Sequence, residues 1–338
     1  MRPILLNRRH LLRGALLAAA GASMTLSFSA SAADPGTEYF TGKTVKIIVP
    51  NPAGGTSDIL ARMLAPKMSE SLGANVIVEN KPGATGNLGA DIVAKSKADG
   101  FTLLLTDIGS LAIAPSVFPT LPFDPATDFA PVMMVAYSPH LLAAHPSVAA
   151  NNAKELVALA KAKPDTLNFA ISGLGGANHL AGIEFALRTG IVWSYIPYKG
   201  GSQAISDVMA GQADVLFNGM VATYPPVKSG KLKALAISSA QRFAAAPDIP
   251  TVAESAGLPG FETGSFQGIV APAGTPGNVV GAIHGTTTKI LATPEMQEQL
   301  LKLGAEARPG TPADFGNFIR SEKDRWAKVV KDSGVKFQ

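Results

Sequence analysis

The sequence predicts an α/β protein of two lobes, each a sheet flanked by helices, with a ligand cleft between them. Three observations predict it. From Thr44 onward, short apolar runs alternate with amphipathic segments. Strand-like runs enter helix-like segments through loops of small residues. Irregular, proline-bearing passages after Leu121 and over 266–276 interrupt the rhythm. They place the two crossings between lobes near 138 and 268. Lobe 1 is then 34–137 with 269–338, and lobe 2 is 138–268.

Each element follows in order. VKIIVP (45–50) reads as a strand. Ser57 to Leu72 reads as a helix, because Ile59, Leu60, Met63, Leu64 and Met68 recur at helical spacing and Gly73 stops them. Pro66 inside it predicts a bend or a restarted turn. NVIVEN (75–80) is the next strand, PGATGN a turn, Leu88 to Lys97 a helix, and FTLLLT (101–106) a third strand. The βαβαβ order argues for a parallel sheet covered by helices. Residues 130–146 read as one or two buried strands. A second series follows: helix 153–162, strand 166–172, helix 178–188, strand 192–197, helix 202–210, and strands 213–218 and 232–238. FQGIVAPAGTP (266–276) reads as irregular. Thr275, Thr293 and Thr311 each precede a proline, the pattern of an N-cap followed by Pro at the first helical position. Thr311 with Asp314 resembles a capping box. Phe315, Ile319, Trp326 and Val330 form one stripe on the last helix, expected in the core.

Composition narrows the function classes. The chain has 338 residues, 46% hydrophobic and 16% charged, a globular balance. Residues 1–32 read as an export signal, with a basic start (Arg2, Arg8, Arg9, Arg13), a short apolar run and an Ala30-Ser31-Ala32 cleavage pattern near Ala33. The protein is therefore expected in the periplasm. Asn7-Arg8-Arg9-His10-Leu11-Leu12 resembles a twin-arginine motif; the alternative is a general secretory signal with two chance arginines. Removing those four arginines from 29 basic residues leaves 25, equal to the 25 acidic ones. The pI near 9.2 thus belongs to the signal and does not predict a nucleic-acid surface. There is no cysteine, which excludes disulfides, thiol catalysis, Cys-ligated metals and a Cys-linked lipid anchor.

Four segments share the order strand, small-residue loop, helix: Pro50 to Thr56, Pro82 to Asn87, Ser172 to Asn178, and Tyr198 to Ser202. Glycine lets the backbone approach a ligand, and the helix start behind it offers free N–H groups and partial positive charge. Such a loop holds an anion without an arginine. One loop of this kind is more often a strand terminator; four in one chain point to binding, with PGATGN the most structural of them. No phosphate-loop motif G-x-x-x-x-G-K-[ST] is present, and Asn178 stands where a dinucleotide fingerprint wants glycine or alanine. A carboxylate suits the same loops. Catalysis fares poorly: there is no G-x-S-x-G elbow. The five histidines, at 10, 140, 145, 179 and 284, show no metal-site spacing. His179 either faces the cleft or is a satisfied helix-start residue. Asp58 either favours its helix dipole or contacts a ligand. Lys199 either pairs with an acid or is solvated. Asp107 ends a strand where ligands are often met; facing the cleft, it disfavours a nearby carboxylate and favours an amine or hydroxyl.

Together these passages resemble the solute receptors of tripartite tricarboxylate transporters, the Bug receptors. The resemblance rests on VKIIVPNPAGGTSDILARMLAPKMSESLGANVIVENKPGATGNLGA, LPFDPATDFAPV, GLGGANHLAGIEF, IPYKGGSQAISDVMAGQADVLFNG, SGKLKALAISS and PDIPTVAESAGLPGF, which span nearly all of the chain beyond the signal. It implies a two-lobe type II periplasmic binding fold, no catalysis, no cofactor and no metal. It implies a small organic acid held in the cleft and delivered, by a monomer, to integral-membrane transporter subunits in a transient encounter. The family's carboxylate clamp falls on Gly54, Gly55, Thr56 and Asp58 in one lobe. In the other it falls on Ser172, Gly173, Gly176, Asn178 and His179, with Tyr198 and Lys199 in a third signature. Asn218, closing ADVLFN, joins the expected ligand set. Asn51 departs from the family pattern, which often has an aromatic there, and the loop opened by Thr106 and Asp107 departs too. Both departures concern the far end of the pocket, and the acid itself stays open: dicarboxylate, tricarboxylate, aromatic acid or amino acid. A carboxylate-sensing module is the alternative role. A periplasmic enzyme on a related two-lobe fold is a third, and it lacks an identifiable nucleophile or acid–base pair.

Overall fold

The apolar runs pair as strands because each is flanked by a helix whose own apolar face has no other cover. The computed structural model describes residues 37–335 and 337; the export signal expected over 1–32 lies outside them. The first series is β1 (Thr44–Val49), α1 (Thr56–Leu72), β2 (Asn75–Asn80), α2 (Asn87–Ala94), β3 (Thr102–Asp107) and the short α3 (Ala114–Val117). The second is β4 (Phe129–Ala144), α4 (Ala153–Ala162), β5 (Asn168–Ile171), α5 (Ala177–Thr189), β6 (Ser194–Pro197), α6 (Gly201–Met209), β7 (Val215–Gly219), α7 (Met220–Lys228) and β8 (Lys233–Ile237). The last is α8 (Val252–Ala256), β9 (Gly264–Pro272), α9 (Gly277–Leu291), α10 (Pro294–Lys302), β10 (Glu306–Ala307) and α11 (Pro312–Ser333).

Hydrogen-bonded neighbours run β2-β1-β3-β9-β4-β7-β5-β6, with β8 and β10 beside β4. β1 is parallel to β2 and β3, and β5 is parallel to β6 and β7, as the alternating elements predict. The long β4 serves two sheets. Its Phe129 to Pro139 half pairs antiparallel with β9, and its His140 to Ala144 end pairs with β7. One core packs α1, α9 and α10 on the first sheet through Ile47, Leu60, Leu64, Ile283 and Leu300. A second lies around Phe169, Phe185, Phe217 and Phe261. Between them, Ile108, Ile113 and Val117 pack with Leu180 and Ile183 of α5 and Trp326 of α11.

Several local expectations change. α1 runs unbroken through Pro66. Pro66 is exposed, so the hydrogen bond it forfeits faces water, while Leu60, Leu64, Met68 and Leu72 stay buried on both sides of it and hold the turns in line. Residues 266–276, expected irregular, are largely β9. β9 lies between β3 and β4 with Ile269, Val270 and Ala271 wholly buried, so the alternation that marks a half-buried strand is absent. α7 was hidden by Pro225 and Pro226; buried Met220, Val221 and Thr223 anchor its first turn. Thr275 is not the cap of α9. Its hydroxyl donates to Pro272 O at 2.7 Å and Pro276 holds the N-cap position. Thr293 and Thr311 do cap, and Thr311 with Asp314 makes both bonds of the capping box.

Candidate functional site

The loop into α1 and the loop into α5 have one construction. Gly54 and Gly175 sit in the left-handed region (φ 79° and 71°), which glycine adopts at little cost. Each donates its N–H to the side chain four residues on: Gly54 to Asp58 Oδ2 and Gly175 to His179 Nδ1, both at 2.9 Å. Gly55 and Gly176 follow as extended N-caps. In the first loop Ser57 Oγ donates to Asn51 Oδ1 at 3.3 Å. In the second, Ser172 Oγ donates to Asn178 Oδ1 at 2.8 Å. The serine and asparagine have exchanged places, so the same bond closes both loops.

The loops face each other. A Cβ on Gly200 would stand 2.5 Å from Pro52 Cδ, and one on Gly173 would stand 2.9 Å from Thr85 Oγ1. Thr85 Oγ1 donates to Leu174 O at 3.2 Å, joining the PGATGN turn to the second sheet's loop. Between them lies a cavity of about 40 Å³ lined by Asn51, Thr85, Asp107 and Gly109 from one side and Ser172, Gly176, Ala177, Asn178 and Asn218 from the other. A wider groove of about 530 Å³ adjoins it, sharing Thr85 and Ser172, with walls that include Pro52, Phe118, Leu174, Tyr198 and Lys199.

The small cavity is polar and carries one ionisable group among its described lining residues. Asp107 Oδ1 accepts from Gly109 N at 2.8 Å. Burial pushes its carboxyl above the usual range, against the pull of that bond. Asn218 Nδ2 donates to Thr223 Oγ1 at 3.1 Å. Asn178 is buried, and its Nδ2 has no hydrogen-bond partner among the described residues. The N–H groups that open α5 have no intrahelical acceptor and point with the helix's positive end. Amides, hydroxyls and a helix start thus surround a space that suits a carboxylate, with no lysine or arginine among the described lining residues.

The expected site residues separate into three groups. Asn51, Asp107, Ser172, Gly176, Asn178 and Asn218 line the small cavity. Gly173, Tyr198 and Lys199 line the groove. Gly54, Gly55, Thr56, Asp58, Thr106 and His179 line neither. Asp58 serves its own loop. Burial would raise it, but bonds from Arg62, the Gly54 N–H and Asn80 outweigh that and hold it below the usual carboxylate range. His179 is buried against Tyr195 and Phe337, and burial lowers it to about 4, so the neutral ring accepts from Gly175. PGATGN, expected to be the most structural of the four loops, also contributes to the walls: Gly83, Ala84 and Thr85 line the groove, and Thr85 lines the cavity as well. Ala84 and Thr85 both take positive φ (48° and 55°), an uncommon conformation that clusters at ligand sites. No spacing rule reports that strain. Gly109 and Ala177 also line the cavity and were not among the expected residues.

A two-sheet α/β chain that encloses a polar cavity with groups from both sides defines a solute receptor of the two-lobe periplasmic binding-protein class. The profile described as the tripartite tricarboxylate transporter family receptor matches residues 60–335, and the chain belongs to that family. BugT of Bordetella pertussis is 36% identical over 308 residues, covering 91% of this chain and 94% of BugT. A Rhodopseudomonas palustris protein solved with adipate has a TM-score of 0.85 at 34% identity, covering 87% of this chain and 98% of that one. MatC from Rhodopseudomonas palustris, solved with bound malate, has a TM-score of 0.81 at 31% identity, covering 86% and 100%.

Proposed function

We propose that this protein is a periplasmic receptor that captures a small organic carboxylate in the cleft and delivers it to the membrane subunits of a tripartite tricarboxylate-type secondary transporter. The observation that carries the reading is the 40 Å³ cavity, where Ser172, Asn178 and the start of α5 oppose Asn51 and Thr85. The adipate-bound and malate-bound relatives support the ligand class. The lobes are 34–137 with 269–338, and 138–268. A ligand in the cavity touches both, so it stabilises the closed arrangement over an open one. Loaded, closed monomer then docks transiently on its membrane partner, and the ligand leaves chemically unchanged. Export by the 1–32 signal puts the receptor in the periplasm.

Thermal unfolding of the chain from Ala33 onward, against a panel of small acids, tests this. A ligand at 100 times its Kd adds about 2.7 kcal/mol, a shift on the order of several degrees for a chain this long. A shift with one class of carboxylate is expected. A shift with phosphate or nucleotide alone would sink the reading.

A further inference from the structure

If the cavity holds a carboxylate, one of its features stays unexplained, and any account of that feature rests on the carboxylate reading. Asp107 is the one ionisable side chain among the nine described lining residues. Its hydrogen bond from Gly109 occupies Oδ1 alone, and no ion pair reaches it among the described residues. An ionised carboxylate in an enclosed space is costly unless a cation or several donors meet it. A ligand bearing only carboxylates brings more negative charge to that space. A ligand bearing an ammonium brings the missing partner.

The opposite wall is complementary. Ser172 and Asn178 sit there, and Asn178 leaves its buried Nδ2 without an acceptor among the described residues. The first N–H groups of α5, at Ala177 and Asn178, lie on the same wall. One side of the cavity therefore lacks a cation and the other lacks an acceptor. A space of 40 Å³ holds about three water-sized groups, so it takes a small polar head group and not a whole ligand. The rest of such a ligand leaves past Thr85 and Ser172 into the 530 Å³ groove.

We infer that the ligand is a zwitterionic amino acid, its ammonium held by Asp107 and its carboxylate held by the Asn178 amide, which Ser172 Oγ orients through Oδ1, and by the first N–H groups of α5. Asp107 is then the residue that separates amino acids from the acids lacking nitrogen.

Calorimetric titration of matched pairs tests it, on protein stripped of ligand by unfolding and refolding. The pairs are leucine with 4-methylpentanoate, phenylalanine with 3-phenylpropanoate, and glutamate with glutarate. The protein should bind at least one amino acid at least about tenfold more tightly than its partner lacking nitrogen. Asp107→Asn should lower that affinity at least about tenfold and leave the nitrogen-free acid unchanged or improved. Far-UV circular dichroism confirms that the variant is folded, and the native protein's preference is a test that needs no variant. A native preference for the nitrogen-free acids overturns the inference, and so does an amino-acid preference that survives Asp107→Asn. No binding in any pair, or by any acid in the wider thermal panel, would instead remove the carboxylate-receptor reading beneath it.

Discussion

The loops that enter α1 and α5 are nearly the same object used differently. Each has a left-handed glycine bonded to a side chain four residues on, and each has a serine–asparagine bond closing it. The first satisfies its closing residue from outside as well: Asp58 also accepts from Arg62 and from Asn80, and the loop presents only Asn51 to the cavity. The second closes with a neutral histidine, puts its serine and asparagine in the cavity, and leaves the Asn178 amide open. An anion loop is therefore not defined by its glycines. What matters is which of its polar groups still lack a partner once the fold has formed.

The largest test separates conformation from surroundings. Gly175→Ala forces alanine to φ 71° and puts its Cβ 2.1 Å from Val117 Cγ1. We expect a loss of about 3–5 kcal/mol in urea unfolding. Gly54→Ala keeps the same backbone demand, but its nearest neighbour is Ser202 Cβ at 3.7 Å. About 1 kcal/mol is expected there. Equal losses would show that backbone strain alone governs both loops.

Acid should loosen the two loops in different ranges. His179 is held down at about 4 from an ordinary 6.5, so the unfolded chain takes up a proton that the folded one excludes. Stability present above pH 6.5 is lost as pH falls toward 4, by at most about 3 kcal/mol from this residue. His140, lowered by burial and by Arg325 to about 3, acts in the same direction and carries the loss on toward that pH. Asp58 is held below 3.8, so its contribution persists until pH falls beneath that value. Unfolding free energies at pH 7 and 4.5 check this, and His179→Gln should reduce the difference without abolishing it. An unchanged difference would mean His179 is not held neutral.

The smallest effect separates the exchanged serine and asparagine. Ser57→Ala removes a 3.3 Å bond to Asn51, so about 0.5–1.5 kcal/mol of stability should go, with little change in ligand affinity. Asn178→Ala should weaken carboxylate binding by about 1–2 kcal/mol. Ligand titration of both variants decides it. Equal weakening would make the loops equivalent binders.

Much of the fold was legible in the chain. Helix α4 lies where its amphipathic spacing predicts it, and α1 ends at Gly73, a left-handed cap. β9 was not legible, because burial on both faces erases alternation. The candidate site was half legible. Asn51, Asp107, Ser172 and Asn178 stand at strand-to-helix junctions and do line the cavity. Asp58 and His179 stand at equivalent junctions and do not, because a glycine N–H four residues earlier had already taken them. Thr85 was overlooked since its importance comes from an unusual backbone angle.

Residue type and spacing alone settled the alternating strands and helices of the two βα series, the caps at Thr293 and Thr311, and the glycine loops, but not α7 or β9. Those depend on groups within about four residues of one another, a range in which residue type and spacing carry the physics. Tertiary structure alone decided that β4 would serve two sheets, that Asn80 would meet Asp58 from 22 residues away, and that Asp107 would face a polar cavity with no cation among its described lining residues. Each of these is a meeting of distant segments. The cost of a buried, unpaired group exists only after that meeting has excluded water.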